Sequence, residues 1–431
     1  MNQLTVGASA GYRRLGLGLV LLAAAAPYRY YGSFPLVASV SVLDVALLLA
    51  GFGLIARRAM TGPIDVGDRR LFALLCVLPV LSLTSMLWTV DSVATLRETL
   101  SYGESVLAYV YVVQQTAGLP AEAVVRWLRR FVYALLIPAV LMLTHVPGFN
   151  PQAPGLKHSS GDYLSFYTRL SHPFIGRSNN LAAVLIMVVV VLVYWAVTRH
   201  HRASYVAAAV AAVGIALTFS RGAILALLAA AVILFLRRRR GRRTVAHRRL
   251  AATITGVVAA VLAAAWAFYV LNPDTREFIA GRLSASNVFL RESRLYHGFE
   301  WLADRPFVGY GAGALPGNDA SIAGGVHNTF LQQLLAYGVV LGLLGVLSLF
   351  EVVRYFLGSR STGLRRAIGL TLVAAGIDFA VESSFEGQAL RVIVYLLLGL
   401  LVGLLRAQER GAPDAEPAPP AVERSWATSD A

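Results

Sequence analysis

The sequence predicts an all-α polytopic membrane protein of about twelve transmembrane helices, with a helical segment on its outer face. Three observations carry this. Of the 431 residues, 57% are hydrophobic and only 14% charged, and the mean hydropathy is +0.63; a soluble chain of this size cannot cover its surface with so few charges. Apolar runs of roughly 18 or more residues recur, the length a helix needs to cross a bilayer. The basic residues, nearly all arginine in a formal net charge of +15, gather at the ends of those runs, as membrane insertion favours. In a soluble chain the same charge would point to nucleic acid, but no aromatic residues interleave with it, so no nucleic-acid partner is expected. The single cysteine, Cys76, sits inside an apolar run. That excludes an internal disulfide and a cysteine-based metal site.

Taken in order, a short polar lead ends at Arg13-Arg14, ahead of LGLGLVLLAAAAPYRYY. A basic start before a short apolar run resembles a signal peptide, and we read it as the first span. Apolar runs follow near 35–56, 70–88, 98–115 and 123–146. A Pro- and Gly-bearing outer loop near 147–178 is too long for a hairpin and too aromatic for a linker. Spans near 179–198, 204–220, 222–237 and 250–272 complete the first part, residues 1–272. Residues 273–327 form a polar outer segment, and 328–406 hold three last spans near 328–355, 363–381 and 388–406. The Pro/Ala/acidic stretch 407–431 reads as a disordered cytoplasmic tail. With the N-terminus inside, every dense basic cluster falls inside: Arg57-Arg58, Arg126 to Arg130, the run TRHHR, the run RRRRGRRTVAHRR and Arg354 to Arg366. Both termini are then cytoplasmic.

The informative basic residues are the exceptions on the outer face, among them Lys157, Arg169, Arg177, Arg221, Arg291, Arg294 and Arg305. Arg221, in ALTFSRGAILALL, falls at the outer turn between two spans. An arginine near the bilayer edge either snorkels to headgroups or holds an anion. Arg291 and Arg294 lie three apart and share a helical face. They form either local ion pairs with Glu292 and Glu300 or a guanidinium pair for a phosphate. Gly309, Gly311 and Gly313 make a turn after Asp304-Arg305-Pro306 that either is simple turn geometry or offers amides to an anion. His327 and Asn328 stand at the outer start of a span, Asn328 as the expected N-cap. The helix dipole and nearby arginines disfavour a charged imidazole, which suits a general base as well as an interfacial histidine. No metal-binding motif appears, and no metal or cofactor is expected.

Several stretches together resemble the O-antigen ligase and polymerase superfamily of bacterial polysaccharide membrane enzymes. They are SRGA at 220–223, an arginine-led helix ending DRPFVGYGAG at 304–313, VHNTFLQQLLAYG at 326–338, and PFIGRSNNLAAVL at 173–185. In the last, Asn179-Asn180 replaces the family's more usual Asn-Pro or Pro-Asn pair. The resemblance covers roughly residues 170–400 and lies in the order and spacing of these stretches. It implies a GT-C-like glycosyltransferase in the bacterial inner membrane with its active site facing the periplasm. The donor is an undecaprenyl-diphosphate-linked O-antigen, and the acceptor is lipid A-core. It also implies that His327 is the base, and that Arg221 and Arg291 are catalytic arginines, with Arg294 an alternative to Arg291. Arg294, Arg177, Asn328 and Gly311 are the expected substrate-binding residues. The expected reaction is metal-independent and inverts the anomeric carbon. An O-antigen polymerase is the related alternative, and a transporter of anionic lipid or polysaccharide the alternative of another class.

Overall fold

In a computed structural model, the described residues are 16–24, 29–30, 40–143, 170, 178–238, scattered positions between 252 and 276, 285–315, 326, 328–358, 363–381 and 388–411. Among them the protein is helical except for connecting turns and one antiparallel ladder of two residues per strand, which pairs Arg29 with Ser41 and Tyr30 with Val40. The helices are Val42–Thr61, Arg69–Thr84, Ser92–Thr116, Ala121–Leu143, Ser178–Arg199, Arg202–Leu217, Arg221–Arg238, Ala285–Asp304, Thr329–Leu357, Gly363–Val381 and Gln388–Gly411. Residues 16–24 and the described positions between 252 and 276 are helical as well. Four helical stretches, Arg69–Leu87, Ser178–Arg199, Thr329–Leu357 and Leu390–Gly411, are long and apolar enough to cross a membrane. The architecture is therefore that of an all-helical membrane protein.

Most helix ends follow the apolar runs, and polar caps set several of them. Asp68 and Asp91 accept the backbone N–H of Leu71 and Ala94 at 2.9 and 3.0 Å, which satisfies amides the first helical turn leaves open. Two ends differ from expectation. The second helix starts at Val42 rather than near 35, because the ladder at 29–41 precedes it. The last helix runs past 406 to Gly411. There Arg406 Nη1 donates to Asp65 Oδ2 at 2.7 Å and Arg410 Nη2 to the Leu119 carbonyl at 3.5 Å, which anchors the chain beyond its apolar run.

Two helices form the centre. Ser178–Arg199 is apolar on every face and buried along nearly its whole length, so packing overrides the low helix propensity of its valines. Gln388–Gly411 packs along Ser92–Thr116. Its Gly399 lets the Tyr109 carbonyl approach to within 3.0 Å of where a Cβ would stand, and Gly403 lies against Thr116. This small-xxx-small spacing is how membrane helices bring their backbones together. Gly363–Val381 bridges the Ser178–Arg199, Arg221–Arg238 and Thr329–Leu357 helices.

The connections sort to two ends of the bundle. At one, Asp65 meets Arg406, Gln114 Nε2 donates to the Asp65 carbonyl at 3.0 Å, and Arg129 Nη1 reaches His201 Nδ1 at 3.4 Å. Arg365 there pairs with Glu409 at 3.7 Å, and Gly363 packs on Tyr194. Arg126, Arg129, Arg130, Arg199, Arg202, Arg354, Arg365 and Arg366 belong to this basic end. Helices leaving it carry the chain to the opposite end, where the 85–91, 218–220 and 305–315 turns and the start of Thr329–Leu357 lie.

Candidate active site

The Thr329–Leu357 helix is broken. Its 29 residues would extend about 44 Å if straight, well beyond a hydrocarbon core of about 30 Å. At Gly338 the backbone takes φ 76° and ψ 172°, a conformation essentially confined to glycine. The chain turns so sharply that Gly342 packs on the Gln333 carbonyl and Leu334 Cα. A short helix, 329–337, thus precedes the helix proper, and the single span expected near 328–355 is two pieces. Asn328 caps the short helix as expected: its Oδ1 accepts the Leu331 N–H at 2.9 Å. Gln332 Nε2 donates to the Val326 carbonyl at 2.8 Å and ties the approach to the cap.

A helix break leaves carbonyls and amides without partners. Here the loop after Asp304 supplies them. Tyr310 N–H donates to the Leu335 carbonyl and Gly311 N–H to the Ala336 carbonyl, both at 2.9 Å, while Val339 N–H donates to the Pro306 carbonyl at 2.7 Å. Gly309 N–H returns to the Arg305 carbonyl at 3.1 Å, and Ala312 N–H donates to Ser85 Oγ at 3.1 Å. Gly309, Gly311, Gly313 and Gly338 all have positive φ. A Cβ at Gly309 would overlap Leu335, and one at Gly338 would overlap Phe307. The glycines thus serve close backbone approach. In particular, the Gly311 amide, one of the groups considered for anion binding, is engaged by Ala336. The Tyr310 phenol donates to the Trp301 carbonyl at 3.2 Å. Burial first, and then the neighbouring Asp304 carboxylate, push its pKa up, so it remains a donor at neutral pH.

The Ala285–Asp304 helix lies over this joint. Val326, Leu331 and Leu335 form a small buried cluster with Trp301, Leu302 and Tyr310 packed against it. Gly298 faces Val326 and Leu331 so closely that a Cβ would stand 2.8 and 3.0 Å from them. By helical periodicity the stripe through Gly298 contains positions 291, 294, 301 and 305. Position 291 and Arg294 thus fall on the stripe of the helix that runs through Gly298; the side chain of Arg291 lies outside the described residues.

Arg221 opens the Arg221–Arg238 helix at the same end of the bundle. Its motif has a local logic. Thr218 Oγ1 donates to the Ile215 carbonyl at 2.6 Å and accepts the Ser220 N–H at 3.3 Å, and Ser220 Oγ accepts the Ala223 N–H at 3.3 Å. Serine caps and arginine leads, so a half-buried guanidinium stands beside the amide end of a helix dipole, a setting that suits an anion. Leu170, the described position of the long outer loop, donates its N–H to the Leu217 carbonyl at 2.7 Å, just before this turn.

His327 and Arg177 lie outside the described residues, as do Glu382, Glu386 and most of the 147–178 loop. Their neighbours are informative. Ser178 Oγ and Asn179 Oδ1, directly after Arg177, and Thr329 Oγ1, directly after Asn328, are buried and have no hydrogen-bond partner among the described residues.

Sequence reasoning missed an ion pair beneath the joint, between buried Arg391 and half-buried Glu98. Arg391 holds the Glu98 carboxylate with both ends of its guanidinium. The two partners stand 293 positions apart in the chain.

The fold and this site define a helical membrane protein whose polar end joins helix-terminal arginines to a capped, broken helix. Residues 206–347 match the family model described as O-antigen ligase. This stretch, about a third of the chain, is what is similar to the O-antigen ligase family. The match contains Arg221, Arg291, Arg294, the 304–313 loop and the broken helix as far as 347, and is narrower than the 170–400 range of the resemblance. A comparison with curated proteins gave no match.

Proposed function

We propose that this protein is a glycosyltransferase that moves O-antigen polysaccharide from undecaprenyl diphosphate to lipid A-core at the periplasmic face of the inner membrane. One observation carries the reading furthest: the face of Ala285–Asp304 that bears Arg294 and position 291 packs on the segment between Val326 and Leu331. On this reading the guanidinium groups that hold the diphosphate converge with His327 at one end of the bundle. Arg221, at a helix N-terminus of the same end, adds a second phosphate contact. The match of residues 206–347 to the O-antigen ligase family model supports a ligase- or polymerase-type glycan transfer.

In this mechanism Arg221 and Arg291, with Arg294 and Arg177, bind the diphosphate in bidentate fashion and stabilise its growing charge as it leaves. His327 takes the proton of an acceptor hydroxyl as the oxygen attacks the anomeric carbon. The bond to the diphosphate breaks as the new glycosidic bond forms, so a single displacement inverts the carbon. Asn328 fixes the start of the helix behind the base. No metal is required. Twelve spans, both termini in the cytoplasm and a GT-C-like arrangement complete the reading.

The test is transfer by purified protein from a polyprenyl-diphosphate glycan to lipid A-core, with a repeat-unit acceptor alongside. His327→Ala is expected to lose transfer while keeping its melting transition, and EDTA is expected to leave turnover unchanged. Full activity of the variant, or strong inhibition by the chelator, refutes the base assignment or the metal-free mechanism respectively. Extension of the repeat-unit acceptor alone would make the protein a polymerase. Movement of the lipid across liposomes without glycan transfer would make it a transporter.

A further inference from the structure

The Glu98–Arg391 pair has no part in that chemistry, yet it borders the loop at Gly313 and stacks on Tyr102 beside the broken helix. Arg391 is 1% exposed. Its Nη1 donates to Glu98 Oε1, and its Nη2 donates to Glu98 Oε2 at 2.9 Å and to Ser101 Oγ at 3.2 Å. The guanidinium lies 4.0 Å over the ring of Tyr102. Tyr102 hydrogen-bonds with Tyr337, the buried residue immediately before the break at Gly338. On the loop side, Gly313 sits where a Cβ would be 3.0 Å from the Ala94 carbonyl and 3.2 Å from Glu98 Cβ, and Gly311 lies against Thr89.

We propose that Glu98 and Arg391 are positioning residues for the transferase centre, an inference that rests on the function proposed above. They lock the first turns of Ser92–Thr116 and Gln388–Gly411 together. The loop docks on one side of that lock and the broken helix on the other, so the Asn328-capped helix keeps a fixed place relative to the arginines of Ala285–Asp304. Stability alone does not account for the pair, because apolar residues of similar volume commonly replace a buried ion pair without loss. A planar, bidentate fork supplies orientation that such residues do not.

The test compares wild type with the double variant Glu98→Gln/Arg391→Met, which removes both charges together, and with Arg391→Lys, which keeps the charge and loses the fork. Both variants are expected to fold. The double variant should lose about 10²-fold in kcat, the scale of a small misplacement of reacting groups, while KM for the donor holds within about threefold. Arg391→Lys should show the same split, smaller in size. In both, hydrogen exchange should quicken at the amides of Tyr310, Gly311 and Val339 and stay unchanged along Ser178–Arg199. Wild-type kcat in the double variant, or unchanged exchange at those three amides, overturns the proposal. If the wild-type protein transfers no glycan, the functional reading fails, and the exchange measurement still decides whether the pair holds the joint. Should the double variant not fold, Arg391→Lys carries the same decision.

Discussion

At the scale of single residues, Gly338 decides the shape of the site. No other residue type takes its backbone conformation without strain of about 1–3 kcal/mol, and any side chain there would collide with Phe307. Gly338→Ala is therefore expected to destabilise the protein by at least that much, read as a lower melting temperature in detergent, and to cost activity with it. A variant that melts like wild type would show that the break needs no glycine. The sequence announces this residue poorly. Gly338 sits inside FLQQLLAYGVVLGLLGVLSLF, where Gly342 and Gly345 look the same and serve packing instead. The available clue was length, since the run exceeds what a bilayer requires. Asn328 was easier, because a cap is a local signal: asparagine directly before an apolar run. The Glu98–Arg391 pair gave no local signal, as its two members stand 293 positions apart.

At the scale of elements, a loop's backbone pairing and a helix's apolar face had different legibility. Arg221–Arg238 and Gly363–Val381 fall where hydropathy and flanking arginines put them. The glycine-bearing loop was readable as a turn, but its partners, the carbonyls of Leu335 and Ala336, lie some two dozen residues further on. The Gly399/Gly403 spacing against Ser92–Thr116 was present in the sequence and was passed over as ordinary apolar content. The turn at 62–68 carries a further expectation. Burial pushes the Asp65 carboxyl up, but the Gly67 N–H at 2.9 Å and Arg406 outweigh it and hold its pKa below the ordinary 3.8. A depressed carboxylate contributes stability that is present above the unfolded value and is lost as pH falls through the folded one. The tie between this turn and the last helix should thus weaken below about pH 4. Asp65→Asn should flatten the acid limb of melting temperature against pH; an unchanged acid limb would show that the contact contributes nothing.

For the whole molecule, the division into a basic end and a site end was the most legible feature, because insertion writes charge asymmetry directly into the chain. The packing of Asp65, Gln114, Arg129, His201, Arg365 and Arg406 at one end follows that division. The proposed topology sets the basic end in the cytoplasm. In a Cys76→Ser background, Val90→Cys, at an exposed position of the site end, should react with a membrane-impermeant maleimide added to intact spheroplasts. Glu122→Cys, exposed at the basic end, should react only after permeabilisation. The reverse pattern would invert the topology and place the site on the wrong side for its donor.

The bonds that dock the loop on the broken helix run entirely through main-chain atoms, and the side chains of Phe307 and Val308 point outward, 77% and 46% exposed. Those two positions can accordingly be randomised in a directed-evolution library without disturbing the scaffold behind them.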